Sequence, residues 1–162
     1  MTLRLWIEID HQAPYRTGGW AWLRQDGATV TGAAGGARDV DLAAFGACAL
    51  EAALADLPEG AAVALHLSDA GLIDAVRTLS ARRVAGWVDA SGDLDPQAKT
   101  WEMVAKALTG RALSLARTQP ADPRTPAGFA AAWAELARDK AKTKGTFKNA
   151  IPRPNLAKIR GL

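Results

Sequence analysis

The stretch LRLWIEID at residues 3–10 has side chains that alternate in character. Every odd position from 3 to 9 is leucine or isoleucine, whereas the even positions end in Glu8 and Asp10. Alternation with a period of two is typical of a β-strand with one apolar face. The pattern therefore predicts a first strand that ends at Asp10 and carries two acids on the same face.

The next segment reads as two further strands. A loop with Pro14 and two glycines leads to an apolar run at 20–23, and an Asp-Gly turn then separates it from a second run at 28–32. Short apolar runs bounded by glycine-containing turns are typical of hairpins. The opening of the chain therefore predicts three antiparallel strands.

The rest of the chain alternates helical and strand patterns. The predicted elements are a helix at 41–57, a strand at 61–67, helices at 70–79 and 95–108, a strand at 112–117 and a helix at 127–142. The continuous apolar run at 61–67 indicates a strand covered on both faces. This order predicts one α/β domain whose mixed five-stranded sheet has three antiparallel strands, then parallel strands, with flanking helices.

Positive charge is concentrated at the C-terminus. The net charge is +3, but residues 139–162 contain seven basic side chains and only one acid, Asp139. We therefore divide the chain into a domain at 1–142 and a basic tail at 143–162. The two prolines and two glycines after residue 140 indicate that most of the tail is irregular or mobile.

The basic tail is a candidate contact for a phosphate backbone, with salt-sensitive and sequence-independent affinity. Its candidate nucleic-acid-binding residues are Lys142, Lys144, Lys148, Arg153, Lys158 and Arg160. Four spaced apolar residues also allow the tail to lie along its own domain or on a partner protein. They are Phe147, Ile151, Leu156 and Ile159.

Cysteine usage and hydropathy favour a cytoplasmic protein with no membrane association. Cys48 is the single cysteine, so no intrachain disulfide can form, and a reducing compartment fits best. No apolar run approaches the length of about 18 residues that a membrane span needs. The N-terminus has strand alternation in place of the continuous apolar stretch of a signal peptide.

Several short stretches match, in order and spacing, those of type 1 ribonuclease H. They are Asp10, Gly18-Gly19-Trp20, Ala49-Leu50-Glu51-Ala52, Leu67-Ser68-Asp69, Trp101 and Glu135-Leu136-Ala137-Arg138. The order of the predicted elements over residues 3–140 resembles the same family. The resemblance implies a ribonuclease H-like fold and a substrate such as an RNA:DNA hybrid.

The resemblance also implies an acidic metal site that uses Mg²⁺ or Mn²⁺. Two divalent ions about 4 Å apart need about four converging carboxylates. Asp10 and Asp69 match two of the family's ligands. Because they end adjacent parallel strands, we expect them to lie side by side.

The other two family acids are missing. Leu42 stands where the family has a glutamate on the first helix, and Ala134 stands where it has the last aspartate. Asp41 is a candidate catalytic substitute, and Glu8 is a candidate metal ligand beside Asp10. The structural alternatives are a helix N-cap for Asp41 and a polar-face or ion-pair residue for Glu8.

Three functions remain open from the sequence. The leading hypothesis is a ribonuclease H-like nucleic-acid-binding protein whose hydrolytic activity is weak or lost. The first alternative is an active divalent-metal-dependent endonuclease that cleaves RNA in RNA:DNA hybrids. The second is a protein-interaction domain that binds no nucleic acid.

Overall fold

The computed structural model describes all 162 residues and contains six strands and six helices. The strands are β1 (Thr2–Gln12), β2 (Thr17–Asp26), β3 (Thr29–Ala37), β4 (Ala62–Leu67), β5 (Leu113–Arg117) and β6 (Phe147–Ala150). The helices are α1 (Leu42–Leu54), α2 (Ala70–Arg77), α3 (Leu79–Val84), α4 (Ala98–Leu108), α5 (Pro126–Lys144) and α6 (Arg153–Leu156). No helix has both the length and the apolar character needed to span a membrane.

All six strands belong to one mixed sheet in the order β5-β4-β1-β2-β3-β6. The first three strands form the predicted antiparallel meander, and β4 pairs in parallel with β1 on one side and with β5 on the other. The predicted α/β class is confirmed, as is the placement of β4 beside β1. The first three strands are longer than predicted, and β1 continues two residues past Asp10.

The predicted number of strands is wrong by one, because the C-terminal segment supplies a sixth. Strand β6 pairs antiparallel with β3, from Ala33 opposite Ala150 to Gly36 opposite Phe147. Downstream, Ile151 and Leu156 are buried in the core beneath α5. The expectation of a largely irregular tail is therefore wrong, because pairing at the edge of the sheet and burial of two apolar side chains order this segment.

The two faces of the sheet are covered by different helices. One core contains buried residues of α1, α2 and α4 together with Leu5, Ile7 and the inward side chains of β4. A second core lies under α5 and takes Trp6 from the opposite face of β1. No β4 residue belongs to that second core, and β4 alternates between buried and half-buried positions. The predicted coverage of β4 on both faces is therefore wrong.

Glycines allow α5 to lie close against β2 and β3. A Cβ atom on Gly19 would lie 2.0 Å from the carbonyl oxygen of Ala134 and 2.2 Å from the backbone nitrogen of Arg138. A Cβ on Gly36 would lie 2.8 Å from the carbonyl oxygen of Ala137. Both contacts are shorter than real Cβ atoms tolerate, so these glycines set the depth of α5 and the reach of Arg138 toward β1.

Candidate functional site at the ends of strands β1 and β4

Asp10 is held by an arginine of the opposite layer. Arg138 Nη1 donates to Asp10 Oδ2 at 2.7 Å, and the arginine side chain is only 13 % exposed. Asp10 lies opposite Gly19 in the register of β1 and β2, and Gly19 is the residue against which the α5 backbone rests. The Arg138 guanidinium therefore occupies an oxygen of the Asp10 carboxylate that a metal ion would need as a ligand.

Glu8 is buried beside the end of β4. Its side chain accepts a hydrogen bond from the Ser68 hydroxyl, and Glu8 is 3 % exposed. Burial raises the pKa of Glu8 to about 7, the Ser68 hydrogen bond opposes this rise, and the negative charge of Asp69 adds to it. The charge of Asp69 therefore acts on Glu8, and at neutral pH the Glu8 carboxyl is partly protonated.

Asp69 and Asp41 both cap helices. Asp69 Oδ1 accepts from the Leu72 N–H at 2.8 Å, and Asp41 Oδ1 accepts from the Ala44 N–H at 2.8 Å. These bonds satisfy amide donors at the starts of α2 and α1, which have no partner within their helices. The structural role expected for Asp41 is confirmed, and Asp69 has the same role in addition to its place at the end of β4.

The two positions that lack the family's acids have different surroundings. Leu42 is 51 % exposed and shares a cleft of about 440 Å³ with Asp69, Ile9 and Trp101. Ala134 is fully buried on the face of α5 that packs against the sheet. An acid at position 42 would therefore share the cleft with Asp69. An acid at position 134 would be buried in the apolar core between α5 and the sheet, where an unsolvated carboxylate is costly.

These residues do not fit a two-metal centre. No three histidine, cysteine or acidic side chains lie close enough together to hold one metal ion. Asp10 interacts with α5 on one face of the sheet, whereas Asp69 lines the cleft beside α1 on the other. The predicted site residues thus gather at one end of β1 and β4, but the structure does not bring the carboxylates into one cage.

The predicted nucleic-acid-binding residues lie at the C-terminal end of α5 and on the segment that follows it. Lys142 and Lys144 are at the C-terminal end of α5, and Lys148 is in β6. Arg160 lies near the N-terminal end of α5, where its backbone N–H donates to the Arg124 carbonyl oxygen at 2.7 Å. Helix α5 has 19 residues and is therefore about 28 Å long. All six predicted cations are exposed, and only Lys142 forms an ion pair, with Asp139 at 3.4 Å.

Sequence reasoning missed two features of the site. The sequence places Arg138 in a stretch that matches the family, but it does not predict the ion pair with Asp10. The two residues are far apart in the chain, and only the packing of α5 against the sheet brings them together. The second feature is a small cleft between α5 and β6 that includes Trp133, Leu136, Lys140 and Phe147. The helical spacing of Trp133, Leu136 and Lys140 was the one available signal, but β6 was not predicted.

Comparison with known proteins supports the fold and nothing finer. No protein-family model and no curated protein match this sequence. LC9-RNase H1, a type 1 ribonuclease H with the type 2 active-site motif, superposes with a TM-score of 0.66 at 11 % identity, over 97 % of this chain and 84 % of that one. Ribonuclease H1 from the archaeon Halobacterium salinarum gives 0.56 at 18 % identity, over 87 % of this chain and 100 % of that one.

A third solved structure is LC11-RNase H1 in complex with an RNA/DNA hybrid, with a TM-score of 0.56 at 14 % identity over 87 % of this chain and 99 % of that one. The chain is thus an α/β protein with a mixed sheet between two helical layers. Its fold is that of ribonuclease H, as the sequence resemblance predicted.

Proposed function

We propose that this protein binds nucleic acid through its basic C-terminal segment and that its hydrolytic activity is weak or lost. The observation that carries the proposal is the set of exposed cations held in place by α5, β6 and α6. Five of the six, all except Lys142, have no carboxylate partner. Such exposed charges attract phosphates, and releasing counterions from the nucleic acid would drive binding.

The solved ribonuclease H structures support the kind of partner. LC11-RNase H1 is bound to an RNA/DNA hybrid, as is a foamy viral protease-reverse transcriptase with a TM-score of 0.66, of whose chain the match covers 20 %. Shared fold with such proteins makes a phosphate backbone the ligand class to test first. The charge on the present chain favours the same class.

The loss of hydrolysis is proposed from the partners of the acids. Asp10 binds Arg138, Asp69 caps α2, and positions 42 and 134 carry no acid. Asp10 and Asp69 thus each share their carboxylate with a protein partner, and too few acids remain to hold two divalent ions. We expect cleavage of an RNA:DNA hybrid in Mg²⁺ to be absent or weak, and robust cleavage that depends on Asp10 and Asp69 would establish the active nuclease instead.

The test of binding compares two variants with the same net charge. The first replaces Lys144, Lys148, Arg153 and Lys158 with glutamine, and the second does so at Arg77, Lys99, Lys106 and Arg117. All eight side chains are exposed, and each variant changes the net charge from +3 to −1. A difference between them therefore reports where the charge lies.

We expect only the first variant to lose affinity for duplex DNA and for hybrid. The slope of log affinity against log salt should flatten by about 2 to 4 units, given about 0.9 per phosphate contact, as measured by fluorescence anisotropy. Equal loss in both variants would show that net charge alone attracts the ligand. No binding by the unmodified protein at low salt would refute the proposal.

A further inference from the structure

The cleft between α5 and β6 combines apolar walls with free cations. Its apolar wall includes Trp133, Leu136 and Phe147, and its polar rim includes Lys140 and Asn149. Leu136 is 61 % exposed, which is unusual for leucine on a helix that packs against a sheet. An exposed apolar side chain thus lies beside positive charge in this cleft.

Aromatic and cationic groups are in direct contact here. The Lys140 ammonium lies 4.9 Å from the centre of the Phe147 ring, and that of Lys144 lies 5.9 Å away. Neither lysine forms an ion pair. No acidic residue lines the cleft, so its charge is available to an anionic ligand.

We propose that this cleft is a binding site for single-stranded nucleic acid, in which a base stacks on Trp133 while Lys140 and Lys144 contact the flanking phosphates. The inference rests on the proposed nucleic-acid binding and specifies its surface and strand class. Aromatic rings that stack bases, set among cations that follow the backbone, are the usual means of binding single strands without sequence preference.

The size of the cleft favours a base over an extended apolar ligand. Its volume is about 90 Å³, well below the roughly 300–1,000 Å³ typical of small-molecule sites. Such a space receives one flat ring against its apolar wall. In a duplex the bases are stacked inside and cannot enter, so the cleft should distinguish single strands from duplexes.

The site is separate from the acids at the ends of β1 and β4. Arg138, which binds Asp10, and Lys142, which pairs with Asp139, do not line the cleft. Lys142 therefore provides a control on the same helix. Both Leu136→Glu and Lys142→Ala lower the net charge by one, but only the first places a carboxylate inside the cleft.

The test measures the affinity of the full chain for oligo(dT) and for inorganic polyphosphate, which carries phosphates but no bases. We expect Trp133→Ala to lower oligo(dT) affinity about tenfold, as loss of one stacked base predicts, and to leave polyphosphate affinity unchanged. Leu136→Glu should reduce oligo(dT) binding more than Lys142→Ala does. Because Leu136 is exposed, this variant serves even where Trp133→Ala fails to fold.

Four outcomes would overturn the inference. An oligo(dT) to polyphosphate affinity ratio that neither Trp133→Ala nor Leu136→Glu changes would exclude base stacking. Equal binding of poly-glutamate, with the same sensitivity to both variants, would indicate a surface for acidic proteins. If the protein binds duplex but not oligo(dT), this site is rejected and the proposed function stands. If the protein binds no polyanion at all, both are rejected.

Discussion

The acids at the ends of β1 and β4 and the cations of the C-terminal segment differ in how their charges are satisfied. Asp10, Glu8 and Asp69 each have a protein partner: an arginine, a serine hydroxyl and a helix amide. The cations, apart from Lys142, have no acidic partner and remain exposed. A charge already satisfied by the protein has less to gain from a ligand, so the basic segment is the better placed of the two regions to bind one.

Burial explains why the two regions differ. Glu8 lies in the interior, where an unpaired charge is costly, and burial therefore favours its neutral form although the Ser68 hydrogen bond partly offsets this effect. The lysines stand in water and need no partner to be stable. Changes to either region test this difference.

The largest effect should come from removing the basic segment as a whole. A chain that ends at Gly145 loses the buried side chains of Ile151 and Leu156, which are 4 % and 6 % exposed, together with the pairing of β6. At about 1.5–3 kcal/mol for each buried side chain, the free energy of unfolding should fall by about 3–6 kcal/mol. Urea denaturation followed by circular dichroism measures this.

The glutamine variant at Lys144, Lys148, Arg153 and Lys158 is the matched control for truncation, because it removes charge and keeps β6. Its urea midpoint should stay close to that of the unmodified protein. If the truncated chain unfolds at the same midpoint as the full chain, the segment adds charge but no stability, contrary to its packing.

The second effect concerns Glu8 and pH. Its pKa is raised in the folded protein from an ordinary 4.5 to about 7, chiefly by burial. The folded state therefore holds a proton that the unfolded state releases between these values, so the stability contribution is full below pH 4.5 and is lost as the pH rises through 7. A shift of this size corresponds to about 3 kcal/mol.

Glu8→Gln should remove this part of the pH dependence. Its amide can still accept the Ser68 hydrogen bond but carries no charge, so the variant should be more stable than the parent at pH 8 and not at pH 4. Glu135→Gln, at an exposed position of α5, is the control. Identical pH profiles for Glu8→Gln and the parent protein would contradict a neutral buried carboxyl.

The smallest effect should be the recovery of metal affinity. Leu42→Glu places a carboxylate in the cleft of Asp69, and Arg138→Ala removes the guanidinium from Asp10. Together they should lower the Kd for Mn²⁺ about tenfold or more, which is about 1.4 kcal/mol, in a calorimetric titration. Ala134→Asp should add destabilisation and no affinity, because position 134 is buried. Tight Mn²⁺ binding by the unmodified protein would overturn the comparison.

Local patterns were enough to predict the fold. The alternation at residues 3–10 gave β1, and the helix ending before Pro58 gave the crossover that puts β4 beside β1. These signals work because a strand and a helix expose their side chains with different periods. Strand β6 was missed because only four residues form it, and its pairing depends on the edge of β3 that lies more than a hundred residues earlier.

Residue order and residue type were enough to assign the α/β class, to show that positions 42 and 134 carry no acid, and to place the excess of positive charge near the C-terminus. Each of these is a property of residue order or residue type. Three features are visible only in the folded chain: Arg138 binds Asp10, Glu8 is buried beside Ser68, and Lys140 and Phe147 line one cleft. Charge neutralisation and burial depend on which distant segments pack together. The side-chain periodicity of one strand or helix does not identify the distant segment that it will contact.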